Sequence, residues 1–349
     1  MHLLTLSLRH FRSHKEAQFT FSPTLNCIVG KNGQGKTNLL EAISLVSTGR
    51  SFRTHNLRDL IHFGESFFYI EATFQNEGIE ERVSIYFDGQ TKKVEHNTTT
   101  YSTLHSLLGK LPSVILTPED SSLISGSPQE RRRFLDLYIS QIDPLYLYHL
   151  SRYFKALKQR NELLKNNTCD SIASWEEIMS NSACYLITKR QSVINELSPR
   201  ISDWSAKLSS NYDALSLQYL SRPKDLMHSP DIATALQKYF EQMREKELIL
   251  GHTLIGPQRD DILFQLKEQS AKAFSSQGQK RSCLFALRFA EWECMAHASR
   301  KKPLLGLDDF GIHLDATRLE HLKSALAHFG QVFLTSPEFS CVPHHRIEL

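Results

Sequence analysis

The sequence predicts an α/β protein made of a mixed β-rich lobe and a helical lobe, on three observations. A glycine-rich loop at residues 30–37 stands between an apolar run typical of a buried strand and a stretch with helical spacing of its apolar residues. Runs typical of strands occupy the first 125 residues and return after residue 251. The stretch between them has almost no glycine and many Leu, Lys, Glu and Arg residues, which favours helices.

The length and the change of pattern predict three segments along the chain. With 349 residues, two lobes are the expected division. Residues 1–125 would form the first part of the core, residues 126–250 an inserted helical arm, and residues 251–349 the rest of the core. Because the arm is short, we expect an antiparallel bundle and not a long coiled coil.

A packing seam within the arm is predicted by apolar residues at a three-then-four spacing: Ile194, Leu197, Ile201, Trp204 and Leu208. Pro199 interrupts this pattern. It predicts either a kink in one helix or the end of one helix and the start of the next.

The individual elements follow from the same patterns. In the first segment, strands are expected at residues 3–8, 16–21, 25–29, 67–74, 81–87, 91–95 and 111–116, and a helix at residues 38–45. In the last segment, strands are expected at residues 262–266, 304–307 and 331–335, and an apolar helix at residues 284–298.

Composition excludes some classes of protein and leaves others open. The formal net charge is +3, from 41 basic and 38 acidic residues, so a DNA-binding face would have to be a local patch. The six cysteines show no CxxC pair and no zinc-like spacing, which favours a reducing compartment and hence a cytoplasmic protein. No apolar run approaches the ~18 residues of a membrane span.

The loop at residues 30–37 has the spacing of a phosphate-binding loop. Its glycines would let backbone N–H groups curl around the β- and γ-phosphates, helped by the positive end of the following helix. Lys36 would add a charge to the phosphates, and Thr37 a hydroxyl for magnesium. The sequence therefore predicts a site for a nucleoside triphosphate with Mg²⁺.

Two further stretches fit such a site. Pro303 to Asp309 is an apolar strand that ends in two acidic residues. Asp308 would lie opposite Thr37 and hold the magnesium, while Asp309 would orient or deprotonate the attacking water. The polar loop at residues 274–281 leads into the apolar helix and could form another anion site, although taken alone it also fits a flexible turn.

These motifs give the chain a resemblance, nearly end to end, to the RecF family of recombination proteins, relatives of SMC and ABC-type head domains. Further motifs that carry the resemblance are Phe11-Arg12-Ser13, residues 33–42 and 49–54, Pro118-Glu119-Asp120, residues 131–136 and residues 256–261. The resemblance implies an ABC-type P-loop ATPase head with a short inserted arm in place of a long coiled coil. It also implies a weak, DNA-stimulated ATPase that dimerises around two ATP molecules, binds gapped DNA and strand junctions, and works with RecR and RecO to place RecA.

The resemblance further implies roles for individual residues. ATP contacts fall to Arg12, Gly30, Lys31, Asn32, Gly33, Gln34, Gly35, Lys36, Thr37 and Asn38. A signature that caps the partner's nucleotide falls to Ser276, Gln277 and Gly278. Asp309 and Lys36 would act in catalysis, and Thr37 and Asp308 would hold Mg²⁺. Leu314-Asp315 falls on a loop that crosses the dimer axis, Thr335-Ser336 on a switch position, and Glu119-Asp120 near a magnesium-sensing position.

Two departures from the family pattern bear on these roles. Gly306 stands where leucine is usual, which is expected to weaken strand packing, and Gly311-Ile312-His313 replaces a serine-containing turn at the dimer contact. His313 would either bond a phosphate or the other subunit, or have no role.

The candidates for DNA contacts are basic residues in the arm: Arg131, Arg132, Arg133, Lys155, Lys158, Arg160, Lys165, Lys189 and Arg190. Each group alone also fits a solvated helix face. The nearby Tyr146, Tyr148 and Tyr153 are expected in the core. Two alternatives stay open: an SMC-like or transporter-type ATPase, and a DNA clamp in which ATP binding sets affinity while hydrolysis is a slow reset.

Overall fold

The computed structural model describes residues 1–168, 170–208, 215–266, 269–271, 277–310, 316–336 and 345–349. These residues fall into two units. Unit 1 comprises Met1–Asp120, residues 204–208 and the described part of residues 276–349. Unit 2 comprises Ser121–Asp203 and the described part of residues 213–275.

The described strands in chain order are β1 (His2–Phe11), β2 (His14–Thr20), β3 (Leu25–Val29), β4 (Phe68–Asn76), β5 (Ile79–Phe87), β6 (Lys92–His96), β7 (Thr99–Tyr101), β8 (Ser113–Leu116), β9 (Leu215–Leu220), β10 (Asp261–Leu266), β11 (Gln269–Ser270), β12 (Leu304–Leu307), β13 (Val332–Ser336) and β14 (His345–Glu348). The described α-helices are α1 (Lys36–Thr48), α2 (Ser121–Ser125), α3 (Pro128–Ile142), α4 (Pro144–Lys165), α5 (Ile172–Leu208), α6 (Ile232–Leu250), α7 (Gln277–Ser299) and α8 (Ala316–Ala325).

Unit 1 contains two sheets of different kinds. An antiparallel sheet has the strand order β2-β1-β4-β5-β6-β7, and the alternation of its residues buries one face, as expected for strands with one solvated side. A parallel sheet has the order β14-β3-β13-β12-β8. Because parallel strands end at the same edge, the loop after β3, the acidic residues after β12 and the end of β13 come together there.

Helix α1 explains why the two sheets share one core. Apart from Thr37 and Asn38, its residues are all buried, which is the pattern of a helix covered on every side. Its apolar side chains belong to the same cluster as Leu6 and Ile70 of the antiparallel sheet and Phe333 of the parallel sheet. This core fixes the first turn of α1, and with it the glycine-rich loop, against the parallel sheet.

The predicted weakness at Gly306 is offset by its neighbours. A Cβ atom at this position in β12 would lie 3.2 Å from Ile115 Cγ1 and 3.4 Å from Leu40 Cδ2. These distances are at or below the lower limit of ordinary van der Waals contact. The side chains of β8 and α1 therefore already fill the space that a side chain at position 306 would occupy. The prediction that Gly306 weakens the packing was wrong, because it considered the strand without the residues that close over it.

Helix α7 is anchored in unit 1 by aromatic residues. Phe289 and Trp292 contact Phe329, with ring centroids 4.5 and 5.0 Å apart, and Trp204 lies 5.0 Å from Phe289. The predicted seam is thus buried at all five positions, and its Trp204 packs on α7 and Phe329.

Unit 2 corrects the predicted arm in three respects. Its helices α2–α6 are joined by an antiparallel sheet of order β11-β10-β9, so the stretch before residue 250 is not helical throughout. The predicted boundary at 250/251 is wrong for the same reason, because β10 pairs with β9 along its whole length. Helix α5 runs unbroken through Pro199, so the predicted helix end there is also wrong.

Four strands, β7, β9, β11 and β14, were absent from the predicted set. The predicted strands are all present, with ends shifted by a few residues, and those at residues 25–29 and 304–307 coincide with β3 and β12. Among the described helices, none combines the length and the apolar composition that crossing a bilayer requires.

Candidate functional site

The glycine-rich loop connects β3 to α1 and has the backbone conformation that its glycines permit. Gly33 and Gly35 adopt left-handed φ angles of 86° and 104°, which residues with side chains rarely adopt. A Cβ atom on Gly35 would also lie 2.6 Å from Ser13 Oγ and 2.8 Å from His14 Nε2. Both the angle and the close approach therefore require glycine at position 35.

Lys36 lies inside the curl of this loop. Its ammonium donates hydrogen bonds to the carbonyl oxygens of Gly30 and Lys31, at 2.7 and 3.1 Å, and only 6% of the residue is exposed. The backbone N–H of Lys31 in turn donates to the side-chain oxygen of Gln34. Gly30, Lys31 and Gln34 thus shape the loop and hold the cation that it encloses.

Asp308 follows β12 directly and faces Thr37. Thr37 Oγ1 donates to Asp308 Oδ1 at 3.1 Å, and Thr335 Oγ1, from β13, donates to the same oxygen at 2.6 Å. Burial raises the pKa of the Asp308 carboxyl, while the two hydroxyl donors act in the opposite direction. The sequence predicted that Asp308 and Thr37 meet, and the structure confirms it.

This pair suits a magnesium ion shared with a nucleotide. A hydroxyl and a carboxylate are hard oxygen donors, which Mg²⁺ prefers. Within the described residues, no group of three or more His, Cys, Asp or Glu side chains could hold a metal by itself. A magnesium ion here would therefore complete its shell with phosphate and water oxygens, which is its usual mode in phosphate sites.

Asp309 also belongs to the cleft, and its backbone is held from two sides. Its φ is 51°, a left-handed value that is unfavourable for a residue with a side chain. Thr335 Oγ1 accepts the Asp309 N–H at 2.8 Å, and Arg281 Nη2 donates to the Asp309 carbonyl at 2.8 Å. Thr335, at the predicted switch position, thus contacts both aspartates.

Glu119 and Asp120 are neighbours in the sequence but have different surroundings. Glu119 lines the cleft, whereas Arg288 of α7 binds both oxygens of Asp120, at 2.7 and 3.3 Å. Asp120 also accepts the Thr117 N–H at 3.0 Å. Of the two residues, Glu119 is therefore the one that faces the cleft.

These groups enclose a cleft of about 420 Å³ within unit 1. Its lining residues are Asn32, Gly33, Gly35, Lys36, Thr37, Asn38, Arg53, Pro118, Glu119, Asp308 and Asp309. Arg53 was not among the predicted site residues. Its Nη1 donates to Asn38 Oδ1 at 3.0 Å, and only folding brings this loop residue beside α1.

Arg12 has other partners than the predicted phosphate. Its Nε and Nη2 donate to the two oxygens of the buried Glu41, at 2.9 and 2.7 Å, and its Nη1 donates to the Asp59 carbonyl at 2.8 Å. These three hydrogen bonds use three of the five N–H donors of the guanidinium. As described, Arg12 fixes α1 behind the cleft and does not line it.

The predicted signature is described only in part. Gly278 lies in the first turn of α7, where its carbonyl accepts the Ser282 hydroxyl at 3.1 Å, and Gln277 begins that helix. Ser276, the Gln277 side chain, residues 311–313 and Leu314-Asp315 lie outside the described residues.

Three of the arginines proposed for DNA are buried in ion pairs of unit 2. Arg131 binds both oxygens of Asp261, at 2.7 and 3.1 Å, Arg160 lies 2.8 Å from Glu176, and Arg190 lies 2.8 Å from Asp136. These three predictions were wrong, because a buried paired arginine presents no charge to a phosphate.

The remaining basic candidates differ in exposure. Arg133, Lys155, Lys158 and Lys165 are exposed. Arg132 donates to the Asp260 carbonyl at 2.6 Å, and Lys189 lies 2.9 Å from Asp143. Tyr146 and Tyr153 are buried as predicted, whereas Tyr148 is 54% exposed and does not belong to the core.

Known proteins resemble this chain over its whole length. The family described as RecF/RecN/SMC N terminal domain matches residues 2–342. A DNA replication and repair protein RecF from Protochlamydia amoebophila is 43% identical over 345 residues, covering 99% of this chain and 96% of the relative. The RecF of Chlamydia caviae is 38% identical over 348 residues, covering 99% and 94%.

Solved structures agree with these relatives. A recombination mediator protein RecF-ATP in the RecFOR pathway has a TM-score of 0.90 at 30% identity, covering 98% of this chain and 93% of its own. The corresponding RecF-ATPrS structure has a TM-score of 0.92 at 28% identity, covering 100% and 96%. An Smc head domain at 18% identity and a TM-score of 0.57, covering 97% and 90%, is similar in fold.

Proposed function

The chain belongs to the RecF family, whose fold is that of an ABC-type ATPase head related to SMC heads, and on that premise we propose that its cleft binds and hydrolyses ATP. The observation that carries the proposal is the convergence of Lys36, Thr37 and Asp308 on one cleft. Two solved RecF structures whose names include ATP or ATPrS support it.

Each residue would have a separate task in ATP binding. The N–H groups of the loop at residues 32–37 would surround the β- and γ-phosphates, and Lys36 would exchange its two carbonyl partners for phosphate oxygens. Thr37 and Asp308 would hold Mg²⁺, which when bound neutralises charge on the phosphates. Arg53 could approach the same phosphates from its place beside Asn38.

Asp309 would orient the attacking water and accept its proton. Its carboxylate carries one methylene less than the glutamate usual at this position in ABC-type relatives, so it would reach the water less well. We therefore expect slow turnover and a long-lived ATP-bound state. Glu119, which faces the same cleft, is the next candidate for the water.

The proposal extends to assembly and DNA. By likeness to ABC-type ATPases, Ser276, Gln277 and Gly278 would cap the ATP of a second copy, giving a homodimer with two shared sites. Such a dimer would close on gapped DNA or a strand junction, work with RecR and RecO, and help to place RecA during DNA repair. A cytoplasmic protein is consistent with a sequence whose six cysteines show no CxxC pair and no zinc-like spacing.

Light scattering with and without MgATP, together with ATP hydrolysis measured with and without gapped DNA, tests this proposal. We expect the mass to double with MgATP and hydrolysis to be slow and stimulated by DNA. A monomer that neither binds ATP nor hydrolyses it would contradict the proposal.

DNA affinity in ATP, ADP and a non-hydrolysable analogue separates the two modes of action. A clamp would bind DNA equally well with ATP and with the analogue, because binding alone closes it. A motor of the SMC type would require turnover, and the analogue would not replace ATP.

A further inference from the structure

Helix α7 contacts both acidic segments of the cleft through arginines of its own subunit. Arg288 binds the side chain of Asp120, the neighbour of Glu119. Arg281 lies nearer to the start of α7, and its Nη2 donates to the carbonyl oxygen of Asp309 at 2.8 Å. All four residues belong to unit 1.

The contact made by Arg281 is specific in its geometry. The Arg281 guanidinium carbon lies 6.0 Å from the centre of the Phe285 ring, which stands on the next turn of the same helix. Its Nε is buried and has no hydrogen-bond partner among the described residues. The Asp309 carbonyl is the hydrogen-bond acceptor described for the Arg281 guanidinium.

A hydrogen bond to the Asp309 carbonyl would affect ATP hydrolysis through the position of the Asp309 side chain. Asp309 has a left-handed φ of 51°, which Asp adopts more readily than most residues with a side chain. On its amino side, the N–H is fixed by Thr335 Oγ1 at 2.8 Å. On its carboxyl side, the carbonyl is fixed by Arg281. The two hydrogen bonds together determine the direction in which the Asp309 side chain enters the cleft.

We infer that Arg281 is a positioning residue for ATP hydrolysis, which holds the Asp309 carbonyl so that the Asp309 carboxylate stays directed at the cleft. The inference rests on the proposed function, because it assigns Asp309 to the attacking water. Arg281 lies near the start of α7, which begins at Gln277 of the predicted signature, so the same helix contacts the Asp309 carbonyl of its own subunit.

Amide hydrogen exchange of the nucleotide-free protein tests the contact without relying on activity. The amides to follow are those of Asp309 and Phe310, which donate to Thr335. Arg281→Met removes a charged hydrogen bond, and we expect these two amides to exchange about tenfold faster or more. The amide of Leu305, which donates to Gln331 at the other end of β12, serves as the internal reference and should not change.

Steady-state kinetics then tests the consequence. We expect Arg281→Met to lower kcat for ATP about tenfold or more while KM stays within about twofold, because the residue acts on the water and not on ATP binding. Arg281→Lys should recover part of kcat, since an ammonium can still donate to a carbonyl. Arg300→Met removes an exposed arginine just after α7 and should leave both measurements at the wild-type values.

The outcomes separate the inference from the proposed function. Wild-type exchange at Asp309 and Phe310 in Arg281→Met would overturn the inference, and so would an unchanged kcat or a rise in KM alone. Faster exchange at Leu305 as well would assign Arg281 a general structural role and also overturn it. If the wild-type protein itself hydrolyses no ATP, the proposed function fails, while the exchange result still decides whether Arg281 fixes Asp309.

Discussion

A buried ion-pair cluster of unit 2 and the cleft of unit 1 differ in how buried charge is compensated. In unit 2, Arg160 is wholly buried and lies 2.8 Å from Glu176 and 2.7 Å from Glu247, so each charge has its counter-ion in the chain. In the cleft of unit 1, the hydrogen-bond partners of Lys36 are two neutral carbonyls and those of Asp308 are two neutral hydroxyls. Arg160 is thus compensated within the chain, whereas the proposed ATP and Mg²⁺ would supply the counter-charges of the cleft.

This difference shows which sequence patterns carry functional information. The arginines of unit 2 look like a DNA-binding patch in the sequence, yet the fold commits Arg131, Arg160 and Arg190 to acidic partners. The phosphate loop, in contrast, depends on backbone conformations that glycine adopts easily, and the structure shows those conformations at Gly33 and Gly35. Basic residues in a sequence indicate a DNA-binding surface only when the exposure of their side chains is known.

The largest expected effect lies in unit 2, at Arg160. Arg160→Met would leave Glu247 buried without its cation and Glu176 with Arg244 as its remaining one, and we expect a loss of about 3–5 kcal/mol in the free energy of unfolding. Urea denaturation followed by fluorescence measures this loss. Arg152→Met, at an exposed position of the same helix, is the matched control and should change stability by less than about 0.5 kcal/mol. A loss below about 1 kcal/mol for Arg160→Met would remove the contrast between the units.

The second effect lies in unit 1, at Lys36. Lys36→Met removes the enclosed cation, and we expect ATP affinity to fall about a hundredfold or more, because charged hydrogen bonds to phosphate are lost in a shielded site. Unfolding should change little, since the partners left behind are carbonyls of an exposed loop. Titration calorimetry with MgATP measures the affinity, and Lys92→Met, which alters an exposed side chain of β6 outside the cleft, is the control. ATP binding by Lys36→Met within about threefold of wild type would show that the loop is not a phosphate site.

The smallest effect concerns the exposed lysines of α4. Lys155→Glu combined with Lys158→Glu should weaken DNA binding for all sequences and lower its salt dependence by roughly one unit per lost phosphate contact. Fluorescence anisotropy of labelled gapped DNA at several salt concentrations measures this slope. ATP affinity of the double variant should stay at the wild-type value. An unchanged salt slope would exclude this face of α4 from the DNA interface.

The sequence predicted those strands and helices whose signals lie within a few neighbouring residues. The strands β3 and β12 and the helix after the phosphate loop were predicted because apolar runs and glycines lie next to one another in the sequence. Strand β9 was missed although its residues alternate between buried and exposed, because the lack of glycine around it was interpreted as helix. Its pairing partner β10 lies beyond α6, and no local pattern reveals that pairing.

In the site, too, contacts were predicted only where the sequence pattern or the sheet topology brings the residues together. Asp308 and Thr37 were predicted to meet because parallel strands place their ends at one edge. The partners of Arg12, Arg160 and Gly306 could not be predicted, since Glu41, Glu247 and Ile115 are distant along the chain. The place of Arg53 in the cleft and the contact of Arg281 with the Asp309 carbonyl were missed for the same reason.

A single-turnover measurement on Asp309→Asn tests the central claim, that the cleft of unit 1 is an ATPase site, most directly. The variant keeps the size of the side chain and removes the proton acceptor, while Asp308→Asn, one residue away, should instead weaken Mg²⁺-dependent ATP binding. With MgATP preloaded on Asp309→Asn, we expect bound ATP to persist and the hydrolysis rate to fall about a hundredfold or more, with a dimer that remains assembled in light scattering. Hydrolysis by Asp309→Asn at the wild-type rate would contradict the account and transfer the water-orienting role to Glu119.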